Sequence, residues 1–169
     1  MSRVRASIVT AGCFTFALVF ACASPPSNAR FVETPPDRAQ FAPVGQMFVV
    51  TCGTLDCHGT IARNFRIWGN IGMRLAPTDL PSALTQTSTA ETDATFESLV
   101  GLEPELMSAV VKEGGKSPDR LTFLRKARGT EAHKPGQIIT EGDDRDVCIT
   151  SWLAGSTDTT ACTKALTYP

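Results

Sequence analysis

The stretch that decides how this chain is read is Cys52-Gly53-Thr54-Leu55-Asp56-Cys57-His58-Gly59. Two thiols followed at once by an imidazole suit covalent haem attachment. The thiols add across the haem vinyl groups, and the adjacent imidazole reaches the iron from the same face. The usual motif leaves two residues between the cysteines; here there are four. The same separation suits a local disulfide that closes a tight loop, with His58 merely adjacent. It also admits a zinc site using Cys52, Cys57, His58 and the second histidine, His133, although zinc favours a shorter spacing within each cysteine pair. On the residues alone, haem, disulfide and metal stay open.

The N-terminus bears on that choice. Arg3 and Arg5 precede an apolar run, and no further charge appears before Arg30. A basic start, a short apolar core and small residues after it read as an export signal over residues 1–21. Val19-Phe20-Ala21-Cys22 resembles the lipobox of bacterial lipoproteins, which implies lipidation at Cys22 and an outer-membrane destination, since Ala23 and not Asp follows. Acyl chains contribute ~0.8 kcal/mol per buried methylene, so a tri-acylated cysteine anchors stably. Cleavage removes Arg3 and Arg5 from the 16 basic residues, leaving 14 against 17 acidic ones, a formal charge of −3. Four cysteines then remain for the domain, and export implies that they are paired or modified.

The composition sets wider bounds. The 169 residues carry a net charge of −1, which does not suit a general nucleic-acid binder. With 42% hydrophobic and 20% charged residues, the chain can build one packed domain. Residues 22–43 hold five prolines and read as a lipidated tether. The domain is expected over residues 44–169, with no stretch beyond the N-terminus apolar enough for a membrane span.

Within the domain, the run Val44–Thr51 reads as a helix leading into the cysteine motif. Phe65, Ile67, Ile71, Met73 and Leu75 alternate around Gly69, which suggests short extended segments and a small hairpin. Residues 82–94 look like an exposed loop. Residues 95–113 read as helix interrupted at Gly101 and Pro104. Ser117 and Pro118 read as the N-cap and first position of the next helix. A last helix starts at Asp143 or Asp144 and ends at Gly155. The class is mainly α with long loops.

Taken together, these features resemble a class I cytochrome c, and more closely the cytochrome c-like domains of bacterial envelope proteins. Phe48 lies four residues before Cys52, where such folds place an aromatic of the N-terminal helix. Gly45 is one position from the family's helix-crossing glycine. The segment Ser117–Ala127 resembles the helix before the distal-ligand loop, and Asp143–Gly155 the C-terminal helix that crosses the first. The resemblance covers residues 44 to about 155. A four-residue spacing occurs among multihaem cytochromes c. The resemblance implies haem c bound through Cys52 and Cys57, with His58 as the proximal iron ligand. His133, in the loop where the family carries its distal ligand, is the expected second ligand, with Met107 as the alternative. Bis-histidine ligation implies a lower potential than histidine–methionine ligation. The resemblance also implies that Phe48 packs against Trp152 or Leu153.

Three further readings complete the picture. Arg63, Arg66 and Arg74 are candidates to neutralise haem propionates, or else are solvated surface charges. Cys148 and Cys162 are expected to form a disulfide that folds the tail back on the last helix. The acidic run Glu141–Asp146 suits a helix N-terminus. The function implied is electron transfer by a lipid-anchored monohaem protein with an unidentified redox partner. The alternative is a haem-free, disulfide-stabilised envelope lipoprotein with a binding or structural role.

Overall fold

The computed structural model describes residues 34–167. The export signal and the lipidation at Cys22 lie outside these residues. Among the described residues there are six α-helices and no strands: α1 (Ala42–Cys52), α2 (Thr89–Val100), α3 (Pro104–Lys112), α4 (Thr122–Ala127), α5 (Asp144–Leu153) and α6 (Thr159–Ala165). The mainly α class read from the sequence is what the chain adopts.

Helix α1 is the hub and packs against α2, α5 and α6. It is short and apolar, and helices of this length need tertiary partners to persist. Val44, Met47, Phe48 and Val49 of α1 are buried with Leu99 of α2, Ile149, Trp152 and Leu153 of α5, and Leu121 and Leu124 around the start of α4. The packed domain starts earlier than Val44. A single 3-10 turn, Arg38–Gln40, precedes α1, and the Trp152 indole N–H donates to the Asp37 carbonyl at 2.9 Å. Phe41 is 1% exposed. Its ring centre stands 5.3 Å from that of Phe96 and 5.0 Å from that of Trp152. The ring that joins the first helix to Trp152 is therefore Phe41. Phe48, two helical turns further on, instead meets Phe65 at 5.5 Å and Phe123 at 6.2 Å. The sequence reading named Phe48 for contact with Trp152 or Leu153; the ring that reaches Trp152 is that of Phe41, while Phe48 shares the core with Leu153.

Helix α2 begins inside the segment read as an exposed loop. Ser88 and Glu91 form a capping box, each side chain bonded to the other's backbone N–H. Glu91, Thr95 and Ser98 then fall at i, i+4 and i+7, on one helix face. They accept N–H bonds from Leu75 (3.2 Å), Trp68 (3.0 Å) and Arg66 (2.8 Å) respectively. One polar face of α2 thus holds the long loop that follows the cysteine motif. The hairpin expected there reduces to an isolated parallel bridge between Trp68 and Met73. Phe65 and Ile67 are buried, while Leu75 is exposed.

Two further boundaries differ from the sequence reading. Ser117 does not cap a helix with its side chain; it adopts a left-handed conformation, φ 48°, ahead of a 3-10 turn, and α4 starts only at Thr122. Beyond α5 the supposed polar tail forms α6, capped by Asp158, whose carboxylate accepts from the N–H groups of Thr160 and Ala161. The expected Cys148–Cys162 disulfide is present and joins α5 to α6. Asp143 caps α5 by accepting from the Asp146 N–H, as its position suggested.

Candidate functional site

The cysteine motif starts at the C-terminal end of α1 and turns back on itself. The His58 N–H donates to the Cys52 carbonyl at 2.9 Å, and the Gly59 N–H to the Thr54 carbonyl at 2.9 Å. The turn is clamped to the following loop by bonds from Ile67 N–H to the His58 carbonyl and from Met73 N–H to the Gly59 carbonyl, both 2.9 Å. Three backbones meet at this point. A Cβ on Gly59 would come within 2.0 Å of the Gly53 carbonyl oxygen, and one on Gly72 within 1.9 Å of the same atom. Glycine at 59 and 72 is what permits the approach that fixes His58.

His58 faces a cavity of ≈ 480 Å³, partly open to solvent. Phe48, Cys52, Phe65, Leu102, Phe123 and Ala127 supply most of its apolar wall, and His58 and His133 both line it. The volume lies in the range of cofactor pockets. The His58 and His133 ring centres are 6.0 Å apart with their planes inclined by 30°. Two nitrogen–metal bonds of about 2 Å each, with about 1 Å more from each nitrogen to its ring centre, span about the same distance. The two histidines, 75 positions apart in the sequence, are thus brought to the separation of two axial ligands.

The two rings are held differently. His58 Nδ1 is 2.9 Å from the Phe65 carbonyl oxygen, so it donates there and leaves Nε2 without a partner among the described residues. That arrangement, one ring nitrogen bonded to a backbone carbonyl, is the usual support for a metal-bound histidine. Burial lowers the His58 imidazole below its ordinary pKa, and the charges of His133 and Arg63 act the same way, while the Phe65 bond opposes them. His58 is therefore biased to the neutral form that binds metals. His133 has no such support: its Nδ1 is sealed from solvent and has no hydrogen-bond partner.

The cysteines are free thiols. Burial and the neighbouring Cys57 push the Cys52 thiol up to about 12, against a smaller opposing effect of Arg145. Cys52 lines the cavity; Cys57, half-buried, does not. The local disulfide left open by the sequence is not formed here. Nor, among the described residues, do three or more of the His, Cys, Asp and Glu side chains group as a metal site, so the four-ligand zinc arrangement is not assembled.

Other candidates fall away from the cavity. Met107 is 1% exposed, packed in the core, and does not line the cavity. It lies on the inward face of α3, where burial of the thioether needs no other explanation. Arg74 is buried against Glu91 at 2.7 Å, which accounts for it structurally. Arg66 donates to the Ile61 and Arg63 carbonyls. Arg63 does line the cavity, while its Nε donates to the Cys57 carbonyl at 3.1 Å. The sequence reading missed Lys126, which also lines it. Lys126 Nζ pairs with Glu131 at 2.9 Å and donates to the Ala132 carbonyl at 3.0 Å, next to His133. Its position one turn into the helix before the His133 loop was the signal for it. Glu103 lines the cavity too, and its carboxylate accepts from the Thr122 N–H and hydroxyl.

Compared with known proteins, the chain matches no family model, no curated protein and no solved structure.

Proposed function

We propose that this chain is an electron carrier that holds a haem between His58 and His133, with Cys52 and Cys57 as its covalent attachments, and that it is tethered to the bacterial outer membrane by lipid on Cys22. The observation that carries the proposal is the pair of imidazoles, ring centres 6.0 Å apart, that together line a cavity of ≈ 480 Å³. Cys52 and Cys57 are free thiols, and Cys52 lines the same cavity. The bound haem would supply a one-electron couple.

The chain's own residues do the rest. The Phe65 carbonyl fixes the tautomer and direction of His58 through Nδ1. Phe48, Phe65, Leu102 and Phe123 present apolar surface to the cavity, which favours the less charged state of a redox group held there. Arg63 and Lys126 border the same cavity and bring positive charge toward any carboxylate exposed at its mouth. An apolar, preorganised surround changes little when an electron arrives, which is what a carrier requires.

The test is a visible spectrum of the full-length protein produced together with haem-maturation machinery. A Soret band that survives acid–acetone extraction is expected, and it should be lost in the Cys52→Ala, Cys57→Ala double variant. Protein that is folded, exported and without Soret absorption overturns the proposal and leaves the haem-free envelope lipoprotein in its place.

A further inference from the structure

We infer that the His133 side of the cavity is a binding site for a neutral diatomic gas, which enters by displacing His133 while His58 stays in place. The inference rests on the haem reading above and extends it from electron transfer to ligand binding. It stands on an asymmetry of support between the two histidines.

His58 is fixed at three points. Its backbone N–H and carbonyl are both bonded, to Cys52 and Ile67, and its Nδ1 meets the Phe65 carbonyl. Its ring also packs 5.1 Å from that of Phe65. Gly59 and Gly72 pack so closely on the Gly53 carbonyl that a side chain at either would not fit. His133 is fixed only through its loop. Its carbonyl accepts from the Gly136 N–H at 2.7 Å, and the residue before it is held by the Lys126 ammonium. Its neighbours Ala132, Lys134 and Pro135 are exposed. Gly136 has φ 97°, and the space where a side chain would sit is open. Its Nδ1 is buried with no acceptor to orient the ring or raise its basicity. Loss of such outer support typically weakens metal binding by about 10–100-fold. The ring that leaves is therefore His133.

The space it would vacate suits an uncharged guest. Phe123, Ala127 and Leu102 line the cavity, which opens to solvent. A small neutral molecule enters the apolar part of that surround without a desolvation cost, and of the cations that also line the cavity, Lys126 is paired with Glu131 and Arg63 is bonded to the Cys57 carbonyl. The exchange is a simple substitution: the iron–nitrogen bond to His133 breaks, a bond to the gas forms, and no electron changes hands.

The experiment uses carbon monoxide and the dithionite-reduced, haem-loaded full-length protein. Saturating carbon monoxide should shift the Soret band with one molecule bound per haem. The rate should level off as the gas concentration rises, because departure of His133 becomes limiting. In H133A the rate should rise linearly with concentration, and affinity should increase by the inverse of the fraction of wild-type molecules in which His133 is dissociated, because no internal ligand competes. H133L, which keeps an apolar side chain at the position, gives the same comparison if H133A loads poorly. A haem-loaded protein whose spectrum ignores carbon monoxide overturns this inference alone, as do equal linear rates in wild type and H133A. A protein with no Soret band overturns the haem reading and this inference with it.

Discussion

Phe41→Ala is the sharpest test of how the domain closes. Phe41 lies just before α1, is 1% exposed, and touches the rings of both Phe96 and Trp152. Truncating a buried phenylalanine costs about 3–5 kcal/mol, the spread reflecting how far the site collapses. Collapse is limited here. Phe96 and Trp152 also stand 6.1 Å from each other, and each is held by its own helix. The loss is therefore set at about 4 kcal/mol, within which each aromatic pair accounts for about 0.5–1.5 kcal/mol. For a domain of ordinary stability, 5–15 kcal/mol, that is a large fraction of the whole. With a urea slope of about 2 kcal/mol/M, the unfolding midpoint should fall by about 2 M. The assay is urea denaturation followed by Trp fluorescence, with Leu84→Ala as the control. Leu84 is 98% exposed, so its truncation should shift stability by less than about 0.5 kcal/mol. A loss below about 1 kcal/mol for Phe41→Ala would mean that residues 37–41 are tether and not core, and that the helix junction is misplaced.

Three further outcomes are expected. The C148A/C162A double variant should lose about 3 kcal/mol, the chain-entropy value for a loop of this length; a reducing agent that leaves the wild-type midpoint unmoved contradicts it. Burial raises the Glu91 carboxyl, but bonds from Arg74, Ser88 and Leu75 outweigh that and hold it at about 2. Because the folded value is depressed, its contribution of about 3 kcal/mol is present above about pH 4.5 and is lost as pH falls toward 2; a denaturation series over that range should show the loss in wild type, and E91Q should show a flatter profile. In haem-free protein at pH 8, a maleimide should label Cys57 well before Cys52, whose thiol at about 12 is about 10⁻⁴ ionised; mass spectrometry finding Cys52 modified first would refute the burial argument.

The sequence revealed those helices whose ends carry strong local signals. Asp143 and Gly155 bracket α5 by side-chain capping and a positive φ of 83°, both properties of a few adjacent residues. Gly101 and Pro104 likewise divide α2 from α3. What it hid depended on distant partners. The start of α2 reads as polar loop because Thr89, Glu91 and Asp93 lack an apolar pattern; their value lies in bonds to residues 66–75, which no window over α2 contains. The Ser88–Glu91 capping box was present in the sequence and was the overlooked local cue. Helix α6 is rich in Thr and has only one turn of apolar contact, through Ala161, Cys162 and Ala165; the disulfide and packing on α5 make it helical. Phe41 was assigned to the tether because five prolines surround the region, and proline content says nothing about whether a ring between them is buried.

The site divides along the same line. The proposed proximal half stands out in the sequence, because Cys52, Cys57 and His58 are neighbours in the chain. The distal half rested on a resemblance, and it is tertiary structure that brings His133 to 6.0 Å from His58. Helix α4, which the sequence announced although it starts later than Ser117, and the Lys126–Glu131 pair deliver that loop. Met107 and His133 were both credible distal ligands on position alone. What separates them is that Met107 of α3 is buried in the core away from the cavity, while His133 of the loop after α4 lines it. A ligand carried on a loop with exposed neighbours and an unsupported ring is also one that can leave. The irregularity that hid His133 from local pattern reading is thus the same property on which the proposed exchange of His133 for a guest rests.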